Sequence, residues 1–420
     1  MSSREIYVSM MLGIETHPVG RLWFHQRKGR ESASFEYDES WLARDERFAL
    51  EPALKLMEGQ FHTQVGQSLF GAIGDSAPDR WGRVLMRRAE SQRAKAANAP
   101  ALTLSELDFL LGVNDEARQG ALRFSEQPEG PYLAQKGKTI PPLIDLPRLL
   151  SATQRFLDDE ESAEDLRLLL APGASLGGAR PKASVRDQDG QLSIAKFPRK
   201  DDEHNVVVWE AVALTLAQQA GIDVPEWRLE RIADKPVLII RRFDRVREER
   251  IPFLSAMSML GARDNEQHSY LEIGYALAQY GAQPERDMEQ LWRRIVFTVL
   301  ISNVDDHLRN HGFIYERHKG WRLSPAYDMN PTPVEIKPRI LSTAIDLDDS
   351  TASLDTALAV AKEFRLDKNR ARVIAGEVAA AVKTWRDVAK RLGLNEKEMD
   401  FMASAFEHED LKKAGDATLK

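Results

Sequence analysis

The chain has no cysteine, which excludes disulfide staples and thiolate-bound metals. No apolar run approaches the ~20 residues that cross a bilayer. Its start, Met1-Ser-Ser-Arg-Glu-Ile-Tyr-Val8, lacks the apolar core of a secretion signal. A cytoplasmic protein with no membrane partner is the expectation. Positive charge is not in excess: 58 Lys and Arg stand against 65 Asp and Glu, a net charge of −7. That argues against coating nucleic acid through bulk charge and leaves a local basic patch open. There is no G-x-x-x-x-G-K-[ST], so a Walker-type phosphate loop is excluded. What remains is 420 residues of ordinary composition, 43% hydrophobic and 29% charged, enough for two or three domains with large cores.

Residues 5–37 read as a meander of short strands. Ile6–Leu12 and Gly20–His25 are joined by a turn containing His17-Pro18-Val19-Gly20, and Ala33–Asp38 alternates as a half-exposed strand does. Asp75-Ser-Ala-Pro78 places acid and proline before a helix that runs through Trp81, and reads as its cap rather than as a catalytic pair. Residues 88–101 are expected as exposed helix or loop, Leu104–Leu111 as a short helix, and Gly120–Phe124 as a strand. Proline and glycine in Glu126–Pro142 suggest a linker, and Leu143–Leu169 has a helical pattern.

The stretch Ser175-Leu-Gly177-Gly178-Ala-Arg180-Pro-Lys182 joins two glycines to two cations. Glycines let backbone N–H groups approach an anion, although Gly-Gly also favours a plain hairpin turn. Lys196 ends the apolar run after this loop, where a kinase carries its phosphate-pairing lysine; an edge-strand lysine is the alternative. Asn205–Ala220 reads as an amphipathic helix, with Val206, Trp209, Ala213, Leu214 and Leu216 inward and Gly221 as its stop. Glu210 could pair with Lys196 or stand in solvent. Val237–Arg245 reads as a buried strand with a polar exit, where a hinge between lobes would lie. Helices are expected at Ser269–Tyr280, Glu285–Ser302, Ser353–Glu363, Lys368–Leu392 and Glu396–Glu407. The fold class is therefore α+β and two-lobed, like a protein kinase. Residues 1–142 form an extra N-terminal subdomain and 143–246 the rest of a strand-rich lobe. Residues 247–420 form an all-helical lobe apart from strands around Gly312–Ser324.

The most informative stretch is Ile301-Ser-Asn-Val-Asp305-Asp306-His307-Leu-Arg309-Asn310, followed by Ser324-Pro-Ala-Tyr327-Asp328. Phosphoryl transfer needs a carboxylate to orient a hydroxyl, and an amide and a second carboxylate to hold Mg²⁺ against phosphates. Asp305, Asn310 and Asp328 occur in that order, with Asp305 and Asn310 five residues apart as in kinase catalytic loops. Neither His-Arg-Asp nor Asp-Phe-Gly is present. A solvated helix cap would also produce such a loop.

Taken together, Ser175-Leu-Gly-Gly-Ala-Arg-Pro-Lys182, Lys196-Phe-Pro, Arg242-Phe-Asp-Arg245, Asp305-Asp-His-Leu-Arg-Asn310 and Tyr327-Asp328 resemble the HipA family over nearly the whole chain. These are serine/threonine kinase toxins of bacterial toxin–antitoxin modules. The resemblance implies ATP and Mg²⁺ as cofactors. It gives Lys196 to the α- and β-phosphates and the backbone around Arg241 and Phe243 to adenine. Asp305 would accept the hydroxyl proton, Asn310 and Asp328 would bind Mg²⁺, and His307 would brace the loop. Ser175 would be the autophosphorylated serine, a modification that adds about two negative charges beside the ATP phosphates. The implied partners are a HipB-like helix-turn-helix antitoxin, operator DNA reached through that antitoxin, and an aminoacyl-tRNA synthetase as substrate. Arg241 departs from the family pattern, where a glutamate can precede Arg-Phe-Asp-Arg. A pseudokinase-like co-repressor and a small-molecule phosphotransferase are the other functions open at this point.

Overall fold

A computed structural model describes residues 2–128, 130–133, 140–170 and 178–416. The chain divides into two compact units, one of residues 1–200 and 230–254, the other of 201–229 and 255–420. The strands lie mainly in the first and the helices in the second.

The first unit opens with strands β1 (Ser2–Leu12), β2 (Glu15–Arg27) and β3 (Arg30–Tyr37), joined by β4 (Gln60–His62) and β5 (Leu122–Ser125) in the order β4-β3-β2-β1-β5. The β1–β2 turn falls at Gly13, whose φ of 63° needs no side chain, and not at His17–Gly20. Those four residues lie within β2, where the register shifts between Val8 and Ser9 opposite Pro18 and Gly20. Proline cannot donate to a ladder, so a bulge accommodates it.

A second sheet follows: β6 (Lys182–Arg186), β7 (Leu192–Lys196), β8 (Trp227–Ile232) and β9 (Lys235–Arg241), in the order β6-β7-β9-β8. Three helices pack on it. Trp81 and Leu85 come from Arg80–Ala96, Leu149, Leu150 and Phe156 from Leu146–Leu157, and Leu166 and Leu169 from Ala163–Leu170. They meet Val185, Ala195, Val237 and Ile239 in one core. Each buried aliphatic or aromatic side chain contributes about 1.5–3 kcal/mol, which ties residues before and after the expected linker into one unit. The helix expected over Leu143–Leu169 is split at Asp158–Ser162, where Asp159 takes a left-handed φ of 58°.

The second unit is helical around one antiparallel hairpin, Gly312–Glu316 with Gly320–Leu323. Its central helix, Pro284–Leu300, is buried from Leu291 onward. The stretch expected as one helix over Lys368–Leu392 is two, Lys368–Val382 and Trp385–Arg391. Trp385 stacks on Phe406 with ring centroids 4.6 Å apart, and Trp209 lies 6.1 Å from Trp385. The helix Val206–Gln219 is buried nearly all round rather than amphipathic: Val207 to Leu214 are all inside, and Val206 is only half-buried.

Candidate active site

The catalytic-type loop grows out of the apolar end of helix Pro284–Leu300. Ser302 breaks the helix in a left-handed conformation, φ 51°. Its hydroxyl donates to the Ala405 carbonyl at 2.9 Å and accepts from Arg339 Nε at 3.1 Å. Asn303 Oδ1 accepts from the Asn330 N–H at 3.3 Å. Two adjacent acids then part company. The Asp305 side chain is 66% exposed, whereas that of Asp306 is 7% exposed.

Asp306 is held by donors from three elements. Its Oδ2 accepts from the Tyr270 hydroxyl at 2.5 Å, His311 Nε2 at 3.1 Å and the Thr298 hydroxyl at 3.3 Å. The Asp306 carbonyl accepts from the Thr343 hydroxyl at 2.7 Å. Burial pushes the Asp306 carboxyl up, but His311, through charge and hydrogen bond, with help from Tyr270 and His307, brings it below the ordinary range. Burial and the Asp306 charge push the Tyr270 phenol well up. Asp306 therefore stays an anion and Tyr270 its donor. The sequence reading missed Asp306, His311 and Tyr270; the second acid of Asp305-Asp306 was the one signal for them.

The rest of the loop folds back onto Asp305. Asn310 N–H donates to the His307 carbonyl at 2.8 Å, and its Nδ2 donates to the Asp305 carbonyl at 3.3 Å. That hydrogen bond orients the amide and leaves Oδ1 as its ligand oxygen. Tyr327 hydroxyl donates to the Arg309 carbonyl at 2.8 Å, which ties the Tyr327-Asp328 segment to the loop. Asp328 is partly exposed and left-handed, with φ 59°. Such strained backbone at a non-glycine residue costs about 1–3 kcal/mol and clusters at functional sites. His307 Nδ1 is buried without a hydrogen-bond partner, so the brace expected of His307 is not made through that atom. The Asp306–His311 pair, 3.1 Å apart, braces the loop beside it. An amide oxygen and a carboxylate are the hard donors that Mg²⁺ takes, and Mg²⁺ keeps water and phosphate oxygens for its other positions. Asn310 and Asp328 fit that requirement.

The first unit carries the other expected residues. Lys196 ends β7, directly opposite Lys182 on β6 and Leu238 on β9. Opposed residues share a face of the sheet. Lys182 is buried and pairs with Asp79 at 2.8 Å, and its ammonium also donates to the Gly178 carbonyl at 3.2 Å. Lys196 is the more exposed of the two. Asp79, not Asp75 to Pro78, caps helix Arg80–Ala96, accepting from the Gly82 N–H at 2.8 Å. Gly178 has φ 91°, a conformation that suits glycine. Ser175 and Gly177 lie outside the described residues.

Arg242-Phe-Asp-Arg245 forms a buried charge cluster. Asp244 accepts from Arg242 at 2.6 and 2.8 Å, from Arg245 at 2.9 Å and from the Gly120 N–H at 2.8 Å. The two guanidiniums also donate to the carbonyls of Ala117, Arg118 and Gly120. This fastens the end of β9 to the loop before β5. Arg241 is ion-paired with Asp189, and the Phe243 ring lies 6.1 Å from that of Phe253. Glu210 is buried on helix Val206–Gln219, which groups with the second unit.

Two family descriptions match the chain, the HipA-like C-terminal domain over residues 174–385 and the HipA N-terminal domain over residues 12–123. The first covers just over half of the sequence. The chain belongs to the HipA family. Among relatives, "Putative kinase Y4mE" of Sinorhizobium fredii is 25% identical over 71% of this chain and 72% of its own length. "Putative kinase Y4dM" of the same organism is 31% identical over 42% of this chain and 49% of its own length. A "Putative kinase" of Haemophilus influenzae is 27% identical over 37% of this chain, a match that spans 52% of the relative's length. Among solved structures, HipA of Shewanella oneidensis, determined with HipB and its operator DNA, superposes with a TM-score of 0.66 at 17% identity. That match covers 97% of this chain and 96% of the Shewanella chain, and it shows that this HipA-family protein has the HipA fold. No helix among the described residues is long and apolar enough to cross a membrane.

Proposed function

We propose that this HipA-family protein is an ATP- and Mg²⁺-dependent serine/threonine protein kinase, the toxin of a toxin–antitoxin pair. The observation that carries the reading is the contrast within the second unit's loop: Asp305 stands 66% exposed at the head of a loop whose neighbours are pinned. An exposed carboxylate on a fixed backbone is suited to orienting a hydroxyl and accepting its proton. The kinase names of the curated relatives support the same reaction class. In this mechanism Asp305 orients the acceptor hydroxyl. Asn310 and Asp328 supply oxygens to Mg²⁺, which when bound neutralises charge on the β- and γ-phosphates. Lys196 holds the α- and β-phosphates, Gly177 and Gly178 offer backbone N–H groups, and the backbone near Arg241 and Phe243 receives adenine.

The Shewanella neighbour was solved with HipB and operator DNA, which supports a small helix-turn-helix antitoxin and DNA reached through it as partners. An aminoacyl-tRNA synthetase as target and Ser175 as the site of self-modification complete the proposal on family resemblance. The test is radiolabelled phosphate transfer from Mg·ATP by the full chain and by Asp305→Asn. The variant is expected to bind ATP within a few-fold of wild type and to lose about 10²–10⁴-fold in transfer. Normal transfer by the variant removes Asp305 from this role. Mass spectrometry of the wild-type reaction then reports whether Ser175 gains phosphate.

A further inference from the structure

We propose that Lys337 is a further catalytic residue: its ammonium, held beside Asp305, is the cation that meets the γ-phosphoryl group during transfer. The inference rests on the kinase reading above. It begins with how the segment after Asp328 is fastened. Thr332 N–H donates to the Ser302 carbonyl at 3.2 Å, and Ser342 N–H donates to the Val304 carbonyl at 3.1 Å. Both anchors lie on the loop that presents Asp305. Between them, Val334 N–H donates to the Ser404 hydroxyl at 3.1 Å, and the N–H groups of Ile336 and Lys337 donate to the Pro333 carbonyl at 3.0 and 3.2 Å. Pro331, Pro333 and Pro338 fix φ along the same stretch. The Lys337 backbone is thus set relative to the catalytic carboxylate, and only its side chain retains freedom.

That side chain reaches Asp305, with Nζ 3.5 Å from Oδ1. The side chains are 55% and 66% exposed. Exposed pairs of this kind are worth roughly 0–1 kcal/mol, so a better anion displaces the contact easily. The neighbouring cations have other partners. Arg309 gives both terminal nitrogens to Asp264. Arg339 is spent on Ser302, Val299 and Asp410. Lys337 alone among these three pairs with Asp305 itself, beside the place where the transferred group must come.

The chemistry at that place calls for a cation. The acceptor hydroxyl oxygen forms the new bond to the γ-phosphorus, and the bond from that phosphorus to the β–γ bridging oxygen breaks. The hydroxyl proton passes to Asp305, and ADP leaves with the electron pair. Charge is spread over the equatorial oxygens during this exchange, and a positioned ammonium stabilises it. Lysine serves here as a compact point charge on a flexible stem, able to leave Asp305 when the triphosphate arrives.

The experiment is calorimetric binding of Mg·ADP and of a non-hydrolysable Mg·ATP analogue to wild type and Lys337→Met, with phosphate transfer measured alongside. Lys337→Met is expected to weaken the triphosphate analogue about tenfold and to leave ADP unchanged, because only the triphosphate carries the group Lys337 meets. Transfer should fall about 10- to 100-fold, and Lys337→Arg should recover part of it. Equal effects on the two nucleotides, unchanged transfer, or a rise in transfer each overturn the proposal; a rise would mean that the ion pair holds Asp305 in check. An unchanged unfolding midpoint ensures that a loss is not one of fold. Asp305→Asn in the same assay separates the two readings. If it is inert while Lys337→Met works normally, only the role of Lys337 falls; if Asp305→Asn transfers as well as wild type, the role of Asp305 falls too, and if wild type itself transfers no phosphate the kinase reading falls with it.

Discussion

Two charge motifs, one in each unit, put buried ions to different uses. In the first unit, Arg242-Phe-Asp-Arg245 sinks two guanidiniums and a carboxylate together, and nearly every donor ends on Asp244 or on a backbone carbonyl of residues 117–120. Burial pushes the Arg245 guanidinium well down, while the Asp244 carboxyl, despite its own burial, is held far below its usual range by Arg242 and Arg245. In the second unit, the buried Asp306 sits next in sequence to the exposed Asp305. The first cluster spends all its hydrogen-bonding capacity inside and acts as a fastener. The second spends it on one acid and so presents the other. A charged motif points to chemistry when one of its members is left facing solvent on a backbone that the others hold still.

Removing one member from each network should separate these roles. The largest effect is expected from Asp244→Ala, which leaves Arg242 and Arg245 buried without their shared anion. A loss of about 3–5 kcal/mol in unfolding free energy, read by urea denaturation, is the expected outcome. Asp305→Asn should cost nothing measurable in the same experiment. If Asp244→Ala matches wild-type stability, the cluster is not a fastener.

Tyr270→Phe is a milder cut in the second network. It deletes one hydrogen bond to a charged, buried carboxylate and should cost roughly 1.5–3 kcal/mol. If Asp306 positions its neighbour, phosphate transfer per folded molecule should also fall, by about ten- to a hundredfold through misplacement of Asp305. The KM for ATP should remain near wild type. Reduced stability with an unchanged turnover number would make the second network a fastener as well.

The smallest effect lies away from both networks and probes burial of a single acid. Burial raises the Glu51 carboxyl to about 7, against the Ala72 N–H that donates to it at 2.6 Å and with Asp75 adding to the rise. The folded pKa is above the unfolded one, so this group's contribution to stability is full below about 4.5 and is lost as pH rises through about 7. Unfolding free energy attributable to Glu51 should therefore grow by about 1–3 kcal/mol as pH falls from 8 to 5. Glu51→Gln, which can still accept from Ala72, should flatten that part of the profile. An identical pH profile in the variant would show that Glu51 is charged in the folded protein.

The sequence by itself determined the classes of element and the polar loop. Apolar runs and turn residues located most strands and helices, because local geometry needs only neighbours in the chain. The D-x-x-x-x-N spacing singled out Asp305 and Asn310 for the same reason: a loop and a one-turn helix bring the Asn310 amide to the Asp305 carbonyl at 3.3 Å. Tertiary structure alone decided which charged residues are inside. Nothing local distinguishes Asp305 from Asp306, or Lys182 from Lys196. Asp306 is buried because Tyr270, Thr298 and His311 arrive from three places to pair it, and Lys182 because Asp79 comes from 103 residues away. Burying an ion costs several kcal/mol unless such partners converge, and convergence is a property of the packed chain that no stretch of sequence contains.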